Sequence, residues 1–285
     1  MIQVLAPGMQ ATVQDMGRVG YGHLGVPRAG AMDPLSLSLA NRLVGNSASA
    51  AGIEFLMGNF QVRFLTSVSF ALTGAPVEAY LDGRTIDRNV WAYASAGQIL
   101  NAGRPLFGLR TYLAVAGGID VKPVLSSRST DSLSGVGPAA LAVGEFLPVG
   151  VDTGEPQTPV DVVIETWTPA SCLNLYFRWG PRQDWFTEES RWLFTAAAWE
   201  VSTETNRIAT RLVGPTIEYS ADRQLPTEGV HLGSVQIPRS GQPIVFLANH
   251  PPTGGYPVIG VVRAIDVVRL AQATPATRVR MHALA

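Results

Sequence analysis

QVRFLTSVSFALTG, residues 61–74, followed at once by VEAYLDGRTI, residues 77–86, decides the fold class. The first run alternates and is rich in Val, Phe and Thr. Successive strand side chains point to opposite faces, so period-two alternation of β-branched and aromatic residues predicts half-buried strands. The second run reads as two strands around Asp82-Gly83, a pair that supplies the positive φ angles of a two-residue hairpin turn. LRTYLAVAGG (109–118), VVIETW (162–167), CLNLYFRWG (172–180), SVQIP (234–238), PIVFLANH (243–250) and YPVIGVV (256–262) continue the pattern. Many short strands punctuated by Gly and Pro predict a mainly β chain built from sandwiches or barrels.

Helices are few. Asp33 suits an N-cap, Pro34 the first helical position and Gly45 the position past the end, with Leu35, Leu39, Ala40 and Leu43 on one face. A second helix is expected to start near Thr187, with Glu188 and Glu189 in its first turn and Trp192, Leu193 and Ala196 on one side. A third covers residues 264–273. Five of the six tryptophans fall between Trp167 and Trp199, a cluster read as core or subunit interface. A polar, proline-containing stretch at 149–161 is taken as the linker, which gives domains at 1–155 and 156–285 with segments free to cross over. HLGVPRAG at His23 is echoed by HLGSVQIPRSG at His231, a match too short to establish a repeat.

The chain has 285 residues, of which 46% are hydrophobic and only 15% charged, against about 25% in a typical soluble chain. That composition favours a subunit of an assembly. A net charge of −1 gives no drive toward nucleic acid or anionic membrane. The single cysteine, Cys172, excludes an intrachain disulfide and reads as a buried thiol in a strand. The N-terminal residues have neither the charged nor the apolar region of a secretory leader, and no run reaches transmembrane length, so a cytoplasmic location is expected. Lys122 is the only lysine, and it sits in Val-Lys-Pro rather than the Met-Lys-Met of a biotin carrier, so any biotin must arrive on another chain. There is no P-loop, no Gly-x-Ser-x-Gly elbow and no metal-ligand spacing among the four histidines.

Four segments carry candidate chemistry. TVQDMGRVGYGHLGVPRAGAMD, residues 12–33, sets Gln14, Asp15, Arg18 and Arg28 among five glycines. Asp15 and Arg18 either pair with each other or leave an arginine to clamp a carboxylate or phosphate. In the second, the Ser/Thr/Arg-rich loop around Arg128, Ser129 and Thr130 either holds an anion on its amides and hydroxyls or caps a turn. In the third, Gln236, Asn249 and the loop Thr253-Gly254-Gly255-Tyr256 offer neutral hydrogen bonds, which suit an amide, lactam or urea better than a metal. The fourth contains Asn41 and Glu54, polar in apolar surroundings, either a structural pair or a carboxylate with an altered pKa.

These runs carry Thr12-Val13-Gln14-Asp15 with Gly17-Arg18, Gly30-Ala31-Met32-Asp33, Ala40-Asn41 with Leu43-Val44, Tyr112-Leu113-Ala114-Val115 with Gly117-Gly118, Ser127-Arg128-Ser129-Thr130 and Thr253-Gly254-Gly255-Tyr256-Pro257. In that order and combination the chain resembles the allophanate hydrolase subunit 2 family. The family includes the oxoprolinase C subunit, an antagonist of a sporulation kinase inhibitor, and half of the carboxyltransferase part of urea carboxylase. One departure is Ser126, where the family pattern leads us to expect Gly. The resemblance implies two cyclophilin-like β-barrels and an obligate allophanate hydrolase subunit 1 type partner, the kinase-inhibitor type protein. It also implies a third, lactam-utilisation type subunit, a small amide or lactam substrate, and ATP bound by the complex. By that analogy Asp15, Arg18 and Glu54 are the catalytic candidates. Gln14, Arg28, Asn41, Arg128, Ser129, Thr130, Gln236, Asn249, Thr253, Gly254 and Gly255 are the substrate-binding candidates, with no metal. The functions implied are an ATP-dependent 5-oxoprolinase subunit, a biotin-dependent carboxyltransferase half, or a non-enzymatic antagonist of a kinase inhibitor.

Overall fold

The computed structural model describes residues 1–151, 172–222 and 224–284. The strand expected at 162–167 and the linker from residue 152 onward lie outside the described residues. The chain divides into two compact units: unit 1 is Met1–Arg18 with Ala29–Pro169, and unit 2 is Val19–Arg28 with Ala170–Ala285. The glycine-rich opening segment is therefore divided between them.

Unit 1 begins with β1 (Ile2–Pro7), β2 (Gln10–Gln14), helix α1 (Pro34–Leu43), β3 (Gly52–Leu56), β4 (Phe60–Phe64) and β5 (Val68–Gly74). It continues with β6 (Val77–Leu81), β7 (Arg84–Ile86), β8 (Trp91–Ala94), β9 (Ile99–Pro105), β10 (Arg110–Val115) and β11 (Phe146–Leu147). These strands form two sheets, β11-β1-β4-β9-β6-β7 and β2-β3-β10-β5-β8, over one shared core. Phe55 of the second sheet stacks on Phe60 of the first at 4.5 Å, and Phe64 of the first on Phe70 of the second at 5.0 Å. Each such pair is worth about 0.5–1.5 kcal/mol beyond area burial. The alternating run at 61–74 breaks at the exposed Thr66 and Ser67, which lets the chain leave one sheet and enter the other. The Asp82-Gly83 hairpin forms with φ of 47° and 83°, the positive pair that its sequence demands.

Helix α1 starts as its cap dictates: the Asp33 carboxylate accepts the Ser36 backbone N–H at 3.0 Å and the Ser36 hydroxyl at 2.6 Å. Its buried face is Leu37, Ala40, Asn41 and Leu43, packed on β5 and β10, while Leu35 is exposed. The buried face is therefore displaced by part of a turn from the one that apolar spacing predicts.

Unit 2 contains β12 (Cys172–Trp179), helix α2 (Glu188–Ala196), β13 (Trp199–Thr205), β14 (Ala209–Val213), β15 (Glu228–Gly229) and β16 (Ser234–Gln236). Then come β17 (Ile244–Phe246), β18 (Thr253–Gly254), β19 (Val258–Val262), helix α3 (Ala264–Ala271) and β20 (Arg278–Ala283). Seven strands close a barrel in the order β12-β19-β16-β17-β14-β13-β20, sealed by the parallel pairing of β20 with β12. The expectation of a mainly β protein with a few short helices is met. Thr187 caps α2 through Ser190, but the buried residues of the helix are Ser190 and Phe194, whereas Trp192 is exposed. Phe194 meets Phe177 at 5.0 Å and Trp199 at 6.0 Å, so this part of the tryptophan cluster is core. Cys172, at the edge of β12, is half-buried rather than buried. No helix among the described residues is long and apolar enough to cross a membrane.

Gly58 turns β3 into β4 with φ +66°, and a Cβ there would stand 1.8 Å from the Gly103 carbonyl oxygen. Gly58→Ala is expected to lower the unfolding free energy by about 2–3 kcal/mol, through backbone strain and the clash together. Urea unfolding measures this, and an unchanged midpoint would mean that the turn relaxes freely.

Candidate functional site

Asp15 lies just past the end of β2, 9% exposed, and its carboxylate is fully engaged. Oδ1 accepts the Gly17 N–H at 2.8 Å and the hydroxyls of Ser127 (2.7 Å) and Ser129 (2.5 Å). Oδ2 accepts the Arg128 N–H at 2.6 Å. The Ser129 hydroxyl also accepts the Asp15 N–H at 3.0 Å. The loop whose sequence suits an anion does hold one, and the anion is the chain's own Asp15. Burial pushes this carboxyl up, but the hydrogen bonds from Ser127, Ser129, Arg128 and Gly17 outweigh it and hold the group below the usual aspartate range.

The loop presents those donors because it turns tightly at Leu125 (φ 50°) and Ser126 (φ 62°), with Val124 and Ser127 exchanging backbone hydrogen bonds. This explains the expected glycine at 126: the position needs the left-handed region, and Ser126 occupies it with strain. Arg18, 2% exposed, grips the same turn from the carbonyl side. Its Nε donates to the Val124 oxygen at 3.2 Å and its Nη2 to the Ser129 oxygen. Asp15 and Arg18 thus spend their hydrogen bonds on one turn rather than on each other. Burial lowers the Arg18 pKa, opposed by the charges of Asp131 and Asp15. Gln14 is fully buried beside them, its Nε2 donating to the Thr12 hydroxyl and to the Thr130 carbonyl. Gln14 Oε1, Arg18 Nη1 and Thr130 Oγ1 are buried without a hydrogen-bond partner.

The remaining unit 1 candidates separate. Arg128 directs its side chain away from the nest, donating to the Val121 carbonyl at 2.8 Å and pairing with Asp120 at 2.7 Å. Glu54, 4% exposed, accepts the Met32 N–H at 2.9 Å and the Tyr112 hydroxyl at 2.7 Å, and faces Arg110 Nε at 3.6 Å. The Tyr112 hydroxyl also receives the Asp33 N–H, and burial beside Glu54 pushes its pKa well up. Asn41 is spent elsewhere, donating to the Ala50 carbonyl and accepting from Asn46. Glu54 and Asn41 do not form the structural pair considered from sequence. Each belongs to a separate buried network that anchors α1 to the sheet.

In unit 2, Arg28 is exposed, and its charge reaches His250. Burial first, then His231 and Arg28, hold the His250 imidazole below the usual histidine range despite its hydrogen bond to the Pro251 carbonyl. Asn249 is fully buried, its N–H bonded to the Arg207 carbonyl. Thr253 and Gly254 form β18 against β15, while Gly255 is exposed. Gln236 Nε2 donates to the Tyr256 carbonyl at 2.9 Å, and a Cβ on Gly254 would stand 2.4 Å from that nitrogen. A larger residue at 254 would therefore have to push the Gln236 amide aside. Gly255 lies on the wall of a cleft of 470 Å³ formed with Trp185, Tyr219, Arg239 and Tyr256. Sequence reasoning missed Trp185, Tyr219 and Arg239, and placed Tyr256 and Ser127 in candidate runs without giving them a role. The traces in the sequence were Ser127 inside the Ser-Arg-Ser-Thr run and Arg239 inside the echoed Pro-Arg-Ser.

The family profile described as carboxyltransferase domain, subdomain A and B, matches residues 24–283. The chain is 39% identical to the C subunit of 5-oxoprolinase from Escherichia coli K12, over 95% of this chain and 87% of that protein. It is 32% identical to the C subunit of 5-oxoprolinase from Haemophilus influenzae, over 100% of this chain and 91% of that one. Among solved structures, the urea amidolyase of K. lactis superposes with a TM-score of 0.93 at 28% identity; all of this chain is covered, which amounts to 19% of that chain.

Asp15→Asn places an amide against the Arg128 N–H or removes an acceptor from the serines. A stability loss of about 1–3 kcal/mol near neutral pH is expected. Because the folded pKa is depressed, the carboxylate's contribution is present above the ordinary aspartate pKa of about 3.9 and fades as pH falls through the folded value. Urea unfolding of wild type and variant at pH 7 and pH 3 should therefore show a gap that narrows in acid; a constant gap would remove the charge from the explanation.

Proposed function

Because the chain belongs to the carboxyltransferase domain family with subdomains A and B, we propose that it is the C subunit of a 5-oxoprolinase-type complex. In this reading the complex opens the lactam of 5-oxoproline to glutamate at the expense of ATP. The single observation that carries it is the match to bacterial C subunits along nearly their whole length. A subunit 1 type protein and a third, lactam-utilisation type protein are the partners.

The division of labour follows from how this chain uses its polar groups. Phosphorylation of the lactam oxygen would turn a poor electrophile into one that water can attack, and that step needs a nucleotide site. The amide and hydroxyl nest of residues 127–129 does not fit a phosphate, because the Asp15 carboxylate fills it. Arg128 is tied to Asp120. We therefore assign the nucleotide to a partner subunit. Asp15, with four donors and a lowered pKa, is a weak base, and Glu54 is enclosed by Tyr112, Met32 and Arg110. Both act as positioning groups in this reading, with Arg18 bracing the same turn.

The second reading, a biotin-dependent carboxyltransferase half acting on urea or a related amide, draws on the superposition with urea amidolyase. It requires biotin delivered by another chain. Mixing this chain with its two partners, ATP and 5-oxoproline should release glutamate, with release lost on omitting this chain and restored on adding it back. Glutamate release independent of this chain would overturn the proposal; carboxylation of an amide from a carboxybiotin carrier would select the second reading.

A further inference from the structure

Within unit 2, the 470 Å³ cleft is bounded by segments distant in sequence, contributing Trp185, Tyr219, Leu225, Arg239, Gly255 and Tyr256. Its walls are fastened to one another before any ligand arrives. Ser220 N–H donates to the Trp185 carbonyl at 2.8 Å, and Phe186 bridges Tyr219. The Tyr219 hydroxyl donates to the Ile237 carbonyl at 2.5 Å, which fixes the ring and uses its polar end. Ile237 N–H donates to the Pro257 carbonyl at 3.2 Å, and Gln236 holds the Tyr256 carbonyl. Pre-formed clefts of a few hundred Å³ that combine aromatic walls with convergent polar groups suit small ligands.

The chemistry of the walls narrows the ligand. Trp185, Tyr219 and Tyr256 contribute aromatic side chains to the lining. Arg239 lies 4.6 Å over the Tyr219 ring and pairs at 2.7 Å with Asp222, whose side chain is 93% exposed. So exposed a pair contributes little, and a ligand carboxylate can displace Asp222 into solvent and take its place on the same guanidinium. Gln224 and Thr227 add neutral donors and acceptors at the wall. We propose that this cleft binds a small cyclic carboxylate that also carries an amide, its carboxylate on Arg239 and its ring against the aromatic lining. On the function proposed above, that molecule is 5-oxoproline, and unit 2 holds its carboxylate end.

The test uses the reconstituted complex and two readouts. Equilibrium dialysis of labelled 5-oxoproline without ATP reports binding, and steady-state turnover reports KM. Arg239→Gln should weaken binding and raise KM by roughly tenfold or more with kcat little changed. Gly255→Val, where a Cβ meets nothing within 4 Å, should add bulk to the wall and do the same without unfolding the chain. Arg211→Gln, an exposed arginine paired with Glu204, should change neither value. 2-Pyrrolidinone, which lacks the carboxylate, should compete at least roughly tenfold more weakly than unlabelled 5-oxoproline. Turnover with wild-type KM in both cleft variants would overturn this assignment while leaving the proposed function standing. Binding that depends on Arg239, in a complex that never releases glutamate, would support the cleft and overturn the function. Absence of saturable binding would overturn the cleft.

Discussion

The Asp15 carboxylate and the turn that encloses it form the constraint on which unit 1 depends. A buried charge is tolerated only when its hydrogen-bonding capacity is met, and here four donors converge on two oxygens. Three of those donors come from residues more than a hundred positions away, so the contact joins the end of β2 to the long excursion between β10 and β11. Arg18 reinforces it by gripping the carbonyl side of the same turn. An acidic and a basic side chain three residues apart thus share one structural object, and each satisfies the backbone groups that the other cannot.

Unit 2 solves a related problem without charge. The Gln236 amide supports the loop after β18 by donating to the Tyr256 carbonyl, and it packs closely on Gly254. Gln236 lies within the segment that echoes the opening loop around His23. In both units a buried polar side chain pins a turn rich in small residues. The neutral version in unit 2 leaves an open aromatic cleft beside the pinned loop.

Local chemistry made much of this legible in the sequence. Asp82-Gly83 forms a hairpin because few other residue pairs accept two positive φ angles, and Asp33 and Thr187 cap helices because their side chains reach the next turn. The Ser-Arg-Ser run was readable as an anion holder for the same reason. What the sequence could not supply was the identity of the anion, since Asp15 and Ser127 meet only through the tertiary fold. The buried faces of α1 and α2 differ from those expected because apolar spacing around one helix turn leaves several faces open, and the sheet beneath selects among them. Arg128 finds Asp120, eight residues earlier, only because the tight turn at Leu125 and Ser126 folds the segment back on itself. Of the cleft in unit 2 the sequence showed only the loop at Gly255-Tyr256 and the echoed Pro-Arg-Ser at Arg239, because its walls come from four separated segments that only the fold brings together.

The assignment of Val19–Arg28 to unit 2, within a chain whose flanking residues belong to unit 1, has a consequence for biosynthesis. A ribosome delivers these ten residues long before the strands of their own unit emerge. Unit 2 therefore unites an early segment with a late one, so the two halves cannot be separated at a single cut without leaving one of them incomplete.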